Sequence, residues 1–119
     1  EWIPEHDIWL RDPPAANDFW NDAVVRHEFD HVRLSASRQI EDRFLRAVKR
    51  LHSIRVPFEQ VASGGRIDEA KIQSLIESRV NDAVQQTSEY VRIRYRELDR
   101  LTEHGLRPLP AGATLIGRE

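Results

Sequence analysis

At residues 26–32 the chain reads Arg26-His27-Glu28-Phe29-Asp30-His31-Val32, a His-Glu-x-x-His match inside a segment with helical periodicity. Successive residues of an α-helix are about 100° apart, so positions i and i+4 project from the same face. His27 and His31 can therefore direct two imidazole nitrogens at one metal ion, with Glu28 beside it. The stretch predicts a helix that carries a metal site.

The residue types in this motif indicate a reaction class. In hydrolases that use the motif, zinc lowers the pKa of a bound water towards neutrality, and the glutamate takes a proton from that water as it attacks a carbonyl carbon. We therefore expect His27 and His31 to be zinc ligands and Glu28 to be the catalytic general base. The expected chemistry is metal-assisted hydrolysis, most often of a peptide bond in a peptide or protein substrate.

The helix that contains the motif is predicted to run from about residue 14 or 18 to about residue 54. Asp12 or Asp18 can cap its start, and Val56-Pro57 breaks it. One face carries an apolar stripe with steps of three or four residues, formed by Val25, Phe29, Val32, Ala36, Ile40, Phe44, Ala47, Leu51 and Ile54. The motif histidines fall on the opposite face, which is also partly apolar. A second layer must therefore cover that face, from the N-terminal arm, the C-terminal tail or another subunit.

A second helix is predicted from about residue 68 to about residue 104. Asp68 supplies its N-cap, and Gly105 is the natural residue to end it. The connection between the two helices contains Ser63-Gly64-Gly65, and no convincing series of strands is present. The predicted fold class is therefore all-α: a long antiparallel helical hairpin with the zinc motif on its first helix.

Irregular arms are predicted at both ends of a single domain that spans residues 1–119. Residues 1–17 combine two tryptophans with three prolines, which is typical of an extended aromatic arm, and we expect this arm to lie across the helices. Residues 106–119 form an irregular tail, in which 113–116 could pair as a short strand with something outside the domain. Two long helices alone bury little surface, so we expect either packing of the arms or a homodimer built as a four-helix arrangement.

The composition argues against several classes of function. The formal net charge is −2 and the isoelectric point is about 6.2. Because acidic residues interleave with the arginines of both helices, no nucleic-acid partner is expected. The apolar runs are only a few residues long, so no transmembrane segment is expected. The chain has no cysteine, so a metal must be held by His, Asp or Glu side chains.

A catalytic zinc site needs a third protein ligand besides the two motif histidines. If the connection between the helices centres near residue 61, the motif lies level with residues 91–95 of the second helix. Glu89 and Glu97 then lie within one or two turns of that level. His104 lies about two turns farther along, where the helix stops. On these grounds Glu89, Glu97 and His104 all stay candidates.

The end of the second helix reads Leu98-Asp99-Arg100-Leu101-Thr102-Glu103-His104-Gly105. Together with the upstream motif and the Phe19-Trp20 pair before it, this stretch resembles a bacterial family of predicted secreted zinc-dependent proteases, whose domain has no established function. That family closes its domain with an Asp-x-x-Thr-x-His-Gly pattern, which this chain matches at Asp99, Thr102, His104 and Gly105. The resemblance covers about residues 18–105. It departs at Phe29-Asp30, where the family has a small residue before the second histidine.

The resemblance implies a zinc hydrolase with an extracytoplasmic location, either secreted or periplasmic. It favours His104 over Glu97 and Glu89 as the third zinc ligand, because His104 lies in the matching pattern and imidazole is a common zinc ligand. Asp99 or Thr102 would then accept a hydrogen bond from the outer ring nitrogen of a ligating histidine, or fix the helix end that presents His104. The alternative is a helical dimerisation or partner-binding module with a vestigial metal motif.

Overall fold

The structure is a computed structural model that describes residues 1–115, most of which are helical. The helices are α1 (Ala23–Ser35), α2 (Arg38–Lys49), α3 (Phe58–Val61) and α4 (Glu69–Thr102), with short 3-10 turns at Phe19–Asn21 and Arg50–His52. A small antiparallel hairpin follows α3 and is formed by β1 (Ala62–Ser63) and β2 (Arg66–Ile67). The mostly helical architecture is confirmed, and the two-residue strands are a feature that the hydrophobic pattern did not predict.

The predicted single helix over residues 18–54 is wrong, because two separate helices occupy this part of the chain. The first begins after Asp22 and not at Asp18. The Asp22 side chain accepts a hydrogen bond from the Val25 N–H at 3.0 Å, which satisfies one of the free donors at the start of α1. Only a 3-10 turn forms before that point.

The break between α1 and α2 lies at two serines. Ser35 is the last residue of α1, and its hydroxyl donates to the Val32 carbonyl at 3.0 Å. Ser37, with φ −67° and ψ 147°, is extended and stands as the N-cap of α2. The Ser35 side chain thus bonds to a carbonyl of its own helix, whereas Ser37 makes no side-chain cap bond. The extended backbone of Ser37 interrupts the helix, so the apolar stripe passes through this point without continuous helical pairing.

The start of α4 follows the prediction closely. Asp68 is its N-cap, and the carboxylate accepts hydrogen bonds from the N–H groups of Ala70 and Lys71 at 3.0 Å and 3.4 Å. The Ser63 hydroxyl donates to the same carboxylate at 2.8 Å. These bonds favour the ionised form, so the Ser63 hydroxyl and the helix N–H groups lower the pKa of Asp68 below its ordinary value.

The end of α4 comes slightly earlier than predicted. The helix stops at Thr102, and Glu103, His104 and Gly105 follow with φ of 50°, 57° and 87°. Left-handed backbone therefore begins at Glu103, two residues before the glycine that was expected to end the helix. The His104 N–H bonds back to the Asp99 carbonyl at 2.9 Å, so one of the last helical acceptors is satisfied.

Helix α4 returns along α1 and α2, and the molecule measures 67 × 29 × 22 Å. At the α1 end, Leu34, Leu98 and Leu115 form a buried cluster, against which Tyr95, Leu101 and Leu109 pack. The tail therefore folds back onto the helix pair. Residues 113–115 form no strand, and Ile116, the last residue of the predicted pairing segment, lies outside the described residues. None of the helices within residues 1–115 is both long and apolar enough to cross a membrane.

Candidate metal centre

Helices α1 and α4 bring three potential metal ligands together near the end of the hairpin. Nε2 of His27 lies 3.2 Å from Nε2 of His31, and Oδ1 of Asp99 lies 3.1 Å and 2.9 Å from these two nitrogens. The His27 side chain is 5% exposed, that of His31 is 15% exposed and that of Asp99 is 28% exposed. The helical spacing of the two histidines places both on the face that α4 covers. The layer that was expected to cover the histidine face is therefore the C-terminal end of α4, with the C-terminal tail behind it.

Thr102, one turn after Asp99, fixes the orientation of the buried histidine. Its hydroxyl donates to the Leu98 carbonyl at 2.8 Å, and the same oxygen lies 3.2 Å from Nδ1 of His27. Because the single hydroxyl hydrogen is used on Leu98, we assign the hydrogen of the His27 contact to Nδ1, which donates to Thr102. Nε2 of His27 is then left with a lone pair that points at His31 and Asp99.

The three converging atoms can hold a cation. With both imidazoles neutral, a hydrogen on Nε2 of His31 satisfies its contact with Asp99, but the contact between Nε2 of His27 and Oδ1 of Asp99 then joins two acceptors. A cation between the three atoms replaces this repulsion by attraction. For an ion with bonds of about 2.0–2.1 Å and tetrahedral angles, ligand atoms lie about 3.3 Å apart, close to the observed 2.9–3.2 Å. The donor set therefore fits a divalent ion.

One atom of the cluster lacks a partner among residues 1–115. Nδ1 of His31 is buried and makes no hydrogen bond. The ring of Tyr95 packs edge-on against His31, with the ring centroids 4.5 Å apart, and this packing holds the imidazole plane in place of a hydrogen bond. Burial raises the pKa of Tyr95, so this side chain is a neutral packing group at physiological pH.

Gly105 completes the contacts around His27. A Cβ atom at this glycine would lie 2.8 Å from the Cβ of His27 and 3.0 Å from its Cγ, so the backbone touches the base of the ligand side chain. Gly105 also donates its N–H to the Thr102 hydroxyl at 3.3 Å. Three residues of the Asp-x-x-Thr-x-His-Gly pattern thus act on one imidazole: Asp99 at Nε2, Thr102 at Nδ1 and Gly105 at Cβ.

We expect Gly105→Ala to destabilise the protein by about 2–3 kcal/mol, since alanine must adopt a left-handed φ and its methyl group would collide with His27. The free energy of unfolding in urea would measure this loss. Gly64→Ala is the matched control, because Gly64 also has a positive φ of 58° but open space at its Cβ position. Its loss should be only about 1 kcal/mol. Equal losses in the two variants would contradict the contact with His27.

The other predicted ligands supply none of the three converging atoms. His104 is 82% exposed, and its Nδ1 is 3.9 Å from Oδ2 of Asp99, so it faces the far oxygen of the carboxylate. Glu97 pairs with Arg94 at 2.8 Å, and the exposed Glu89 pairs with Arg92 at 3.4 Å. The structure thus brings Asp99, predicted only as a supporting residue, into the position that had been given to His104. Thr102 lies where its predicted supporting role requires, at the outer nitrogen of a candidate ligand.

Glu28 lines a cavity of about 310 Å³ together with His31 and Asp99. Its side chain is half-buried, and its position next to His27 in α1 places it at the rim of the cluster. The remaining walls of this cavity are Val32, Tyr95 and the arm residues His6, Asp7 and Ile8. We call this space the cluster cavity. A carboxylate, a candidate metal site and room for a small substrate group therefore meet in one place.

Comparisons of the chain with protein-family models, with curated proteins and with solved structures found no match. Arguments about function therefore rest on the geometry of the cluster and on the sequence motifs themselves. The His-Glu-x-x-His motif identified His27 and His31, and the closing pattern drew attention to Asp99 and Thr102. Sequence reasoning did not assign Asp99 as a ligand. The available signal was its spacing from Thr102, because residues three apart lie on the same face of a helix.

Proposed function

We propose that this protein is a metal-dependent hydrolase, with His27, His31 and Asp99 as the ligands of a divalent cation. The observation that carries the proposal is the convergence of two imidazole Nε2 atoms and one carboxylate oxygen within 3.2 Å of one another. Two imidazoles and one carboxylate form a frequent ligand set of catalytic zinc sites, so Zn²⁺ is the first choice of cation. The hydrogen bond from His27 to Thr102 supports this, because it holds the ligand tautomer.

The side chains around the cluster cavity support a hydrolytic reaction. When bound, a divalent ion would act as a Lewis acid that lowers the pKa of water and polarises a carbonyl group. Glu28 is proposed to take a proton from the attacking water while the water oxygen forms a bond to the carbonyl carbon. The same carboxyl group then gives this proton to the leaving nitrogen as the C–N bond breaks. The products are a carboxylic acid and an amine, and no other reactant is needed.

The proposed substrate is a peptide or protein, supported by the motif and by the resemblance to secreted zinc-dependent proteases. That resemblance also supports an extracytoplasmic location as part of the proposal. A cavity of about 310 Å³ accommodates a few atoms around a scissile bond and leaves most of a longer chain outside. The rest of a peptide would then lie across the surface between α1 and the end of α4.

Metal content tests the proposal. Protein purified without chelator and supplied with zinc should hold about one zinc ion per chain by elemental analysis, because the three ligand atoms form one site. The double variant His27→Ala/His31→Ala should hold none. His52→Ala is the matched control, since His52 is an exposed histidine in the 3-10 turn after α2, outside the cluster. An unmodified protein without stoichiometric zinc, or a double variant that keeps it, would contradict the assignment.

A helical dimerisation or partner-binding module is the second candidate. The observation in its favour is an apolar groove of about 430 Å³ at the N-terminal end of α4. It is lined mainly by Leu51, Ile54, Val56, Val61, Ile72, Leu75, Ile76 and Val80. A homodimer could bury this surface, of which Ile76 and Val80 are 43% and 38% exposed. Absence of metal after zinc addition, together with a concentration-dependent dimer, would favour the module over the hydrolase.

A further inference from the structure

The N-terminal arm forms one wall of the cluster cavity. His6, Asp7 and Ile8 line it opposite Glu28, His31 and Asp99. The arm therefore stands against one side of the cavity, and His31 is only 15% exposed although it lines this surface cavity.

The arm is fastened to α1 at Ser35 and to α2 at Phe44. The Trp2 indole N–H donates to the Ser35 carbonyl at 3.0 Å, and the Trp2 ring packs against Phe44 with the centroids 5.4 Å apart. Ser35 ends α1, so its carbonyl has no partner within the helix and the indole caps it. Nε2 of His6 lies 2.6 Å from the Ser35 hydroxyl, which itself donates to Val32, so we assign the hydrogen of this second bond to Nε2 of His6.

The rest of the arm is lightly held. Residues 1–10 contain no helix or strand, so no ladder of backbone hydrogen bonds fixes them. Ile3 is 71% exposed and Trp9 is 91% exposed, so two of its large apolar side chains contribute little to holding it. Pro4, Ile8 and Leu10 are half-buried, so their packing holds the arm together with the two hydrogen bonds and the contact between Trp2 and Phe44. A segment without a backbone ladder can open without unfolding the helices.

We propose that residues 1–10 form a strap over the cluster cavity, latched at Ser35 by Trp2 and His6, and that release of the latch opens the cavity to substrate. The role of the cavity as a substrate site rests on the proposed function. The shielding of His31 by the strap does not rest on the proposed function, because it depends only on the position of the arm. The strap limits the rate at which molecules in solution reach His31, Asp99 and Glu28.

The test measures the reactivity of His31 in the full chain, kept free of metal by chelator. Diethyl pyrocarbonate modifies accessible imidazoles, and tandem mass spectrometry, which distinguishes His31 from His27 in the same peptide, gives the initial modification rate of His31 in chains whose His6 is still unmodified. Trp2→Ala removes the indole hydrogen bond and the contact with Phe44, and we expect the rate to rise about fivefold or more as the open population grows. Trp2→Phe keeps an aromatic ring on Phe44 and should give a smaller rise.

Trp9→Ala is the matched control, since it removes the same side chain from the same arm at a position that is 91% exposed. The rate of His31 modification in Trp9→Ala should equal the rate in the protein without substitutions. An unchanged rate in Trp2→Ala, or an equal rise in Trp9→Ala, would overturn the strap. Peptide hydrolysis by the zinc-loaded variants separates this inference from the proposed function. If His31 becomes more reactive in Trp2→Ala while no variant cleaves peptides, the strap stands and the hydrolase proposal fails.

Discussion

Replacing Glu28 with glutamine is expected to lower kcat for peptide hydrolysis about a thousandfold, within the range that general base catalysis typically contributes. Glutamine has nearly the shape of glutamate but cannot accept a proton from the attacking water. Glu28 is not one of the three residues whose ligand atoms converge, so the variant should keep its metal. Steady-state cleavage of a fluorogenic peptide and elemental analysis of the same preparation would measure both quantities.

Glu59→Gln serves as the control for this substitution. Glu59 is an exposed glutamate in α3, away from the cluster, so its loss should leave both kcat and zinc content unchanged. Simultaneous loss of zinc and activity in Glu28→Gln would assign Glu28 to metal binding and not to proton transfer. Retention of full activity with full zinc would remove Glu28 from the mechanism.

Sequence reasoning was most successful where local chemistry decides the structure. Asp68 is an N-cap whose carboxylate finds its own backbone partners two and three residues later, and this start of α4 was confirmed. The single helix over residues 18–54 was wrong for a related reason. The apolar stripe is continuous through residues 35–37, but a stripe reports only which side chains are buried and not whether the backbone pairs. The extended backbone of Ser37 interrupts this pairing.

The position of Asp99 depends on distance along the hairpin, which periodicity does not supply. The motif was expected to lie level with residues 91–95. That expectation assumed that the chain before the connection and the chain after it both advance at the helical rise. Residues 53–57 are not helical, and an extended chain rises about 3.3 Å per residue where a helix rises about 1.5 Å. The connection also contains the extended strands β1 and β2, so the two limbs do not advance at one common rise, and the level of α4 against α1 does not follow from sequence spacing.

The contacts that prepare His27 were partly visible in the sequence. The motif named the two histidines. Asp99 or Thr102 was expected to contact the outer nitrogen of a ligating histidine or to fix the helix end, and the Thr102 hydroxyl lies 3.2 Å from Nδ1 of His27. The close approach of Gly105 to His27 was not expected, because it depends on how the left-handed turn at residues 103–105 folds back onto α1. A glycine in such a turn indicates freedom of φ, but only the three-dimensional structure identifies the atom that it touches.

Replacing Asp99 with alanine is expected to weaken zinc binding at least about a hundredfold, because the variant loses a ligand oxygen and the only carboxylate among the three converging atoms. Asp99→Asn keeps the shape and one oxygen but removes the negative charge, so its affinity should lie between those of Asp99→Ala and the unmodified protein. Competition with a chromogenic zinc chelator would give the dissociation constants. Circular dichroism would verify that α4 is intact in each variant.

His104→Ala and Glu97→Ala are the controls that make this test decisive. His104 is 82% exposed and points at the far oxygen of Asp99, and Glu97 is paired with Arg94, so both variants should bind zinc within about twofold of the unmodified protein if neither supplies a ligand atom. A His104 variant that loses zinc while Asp99→Ala keeps it would restore His104 as the third ligand. In that case the end of α4 would have to rotate on metal binding, and the left-handed backbone at Glu103 and His104 is where that rotation would occur.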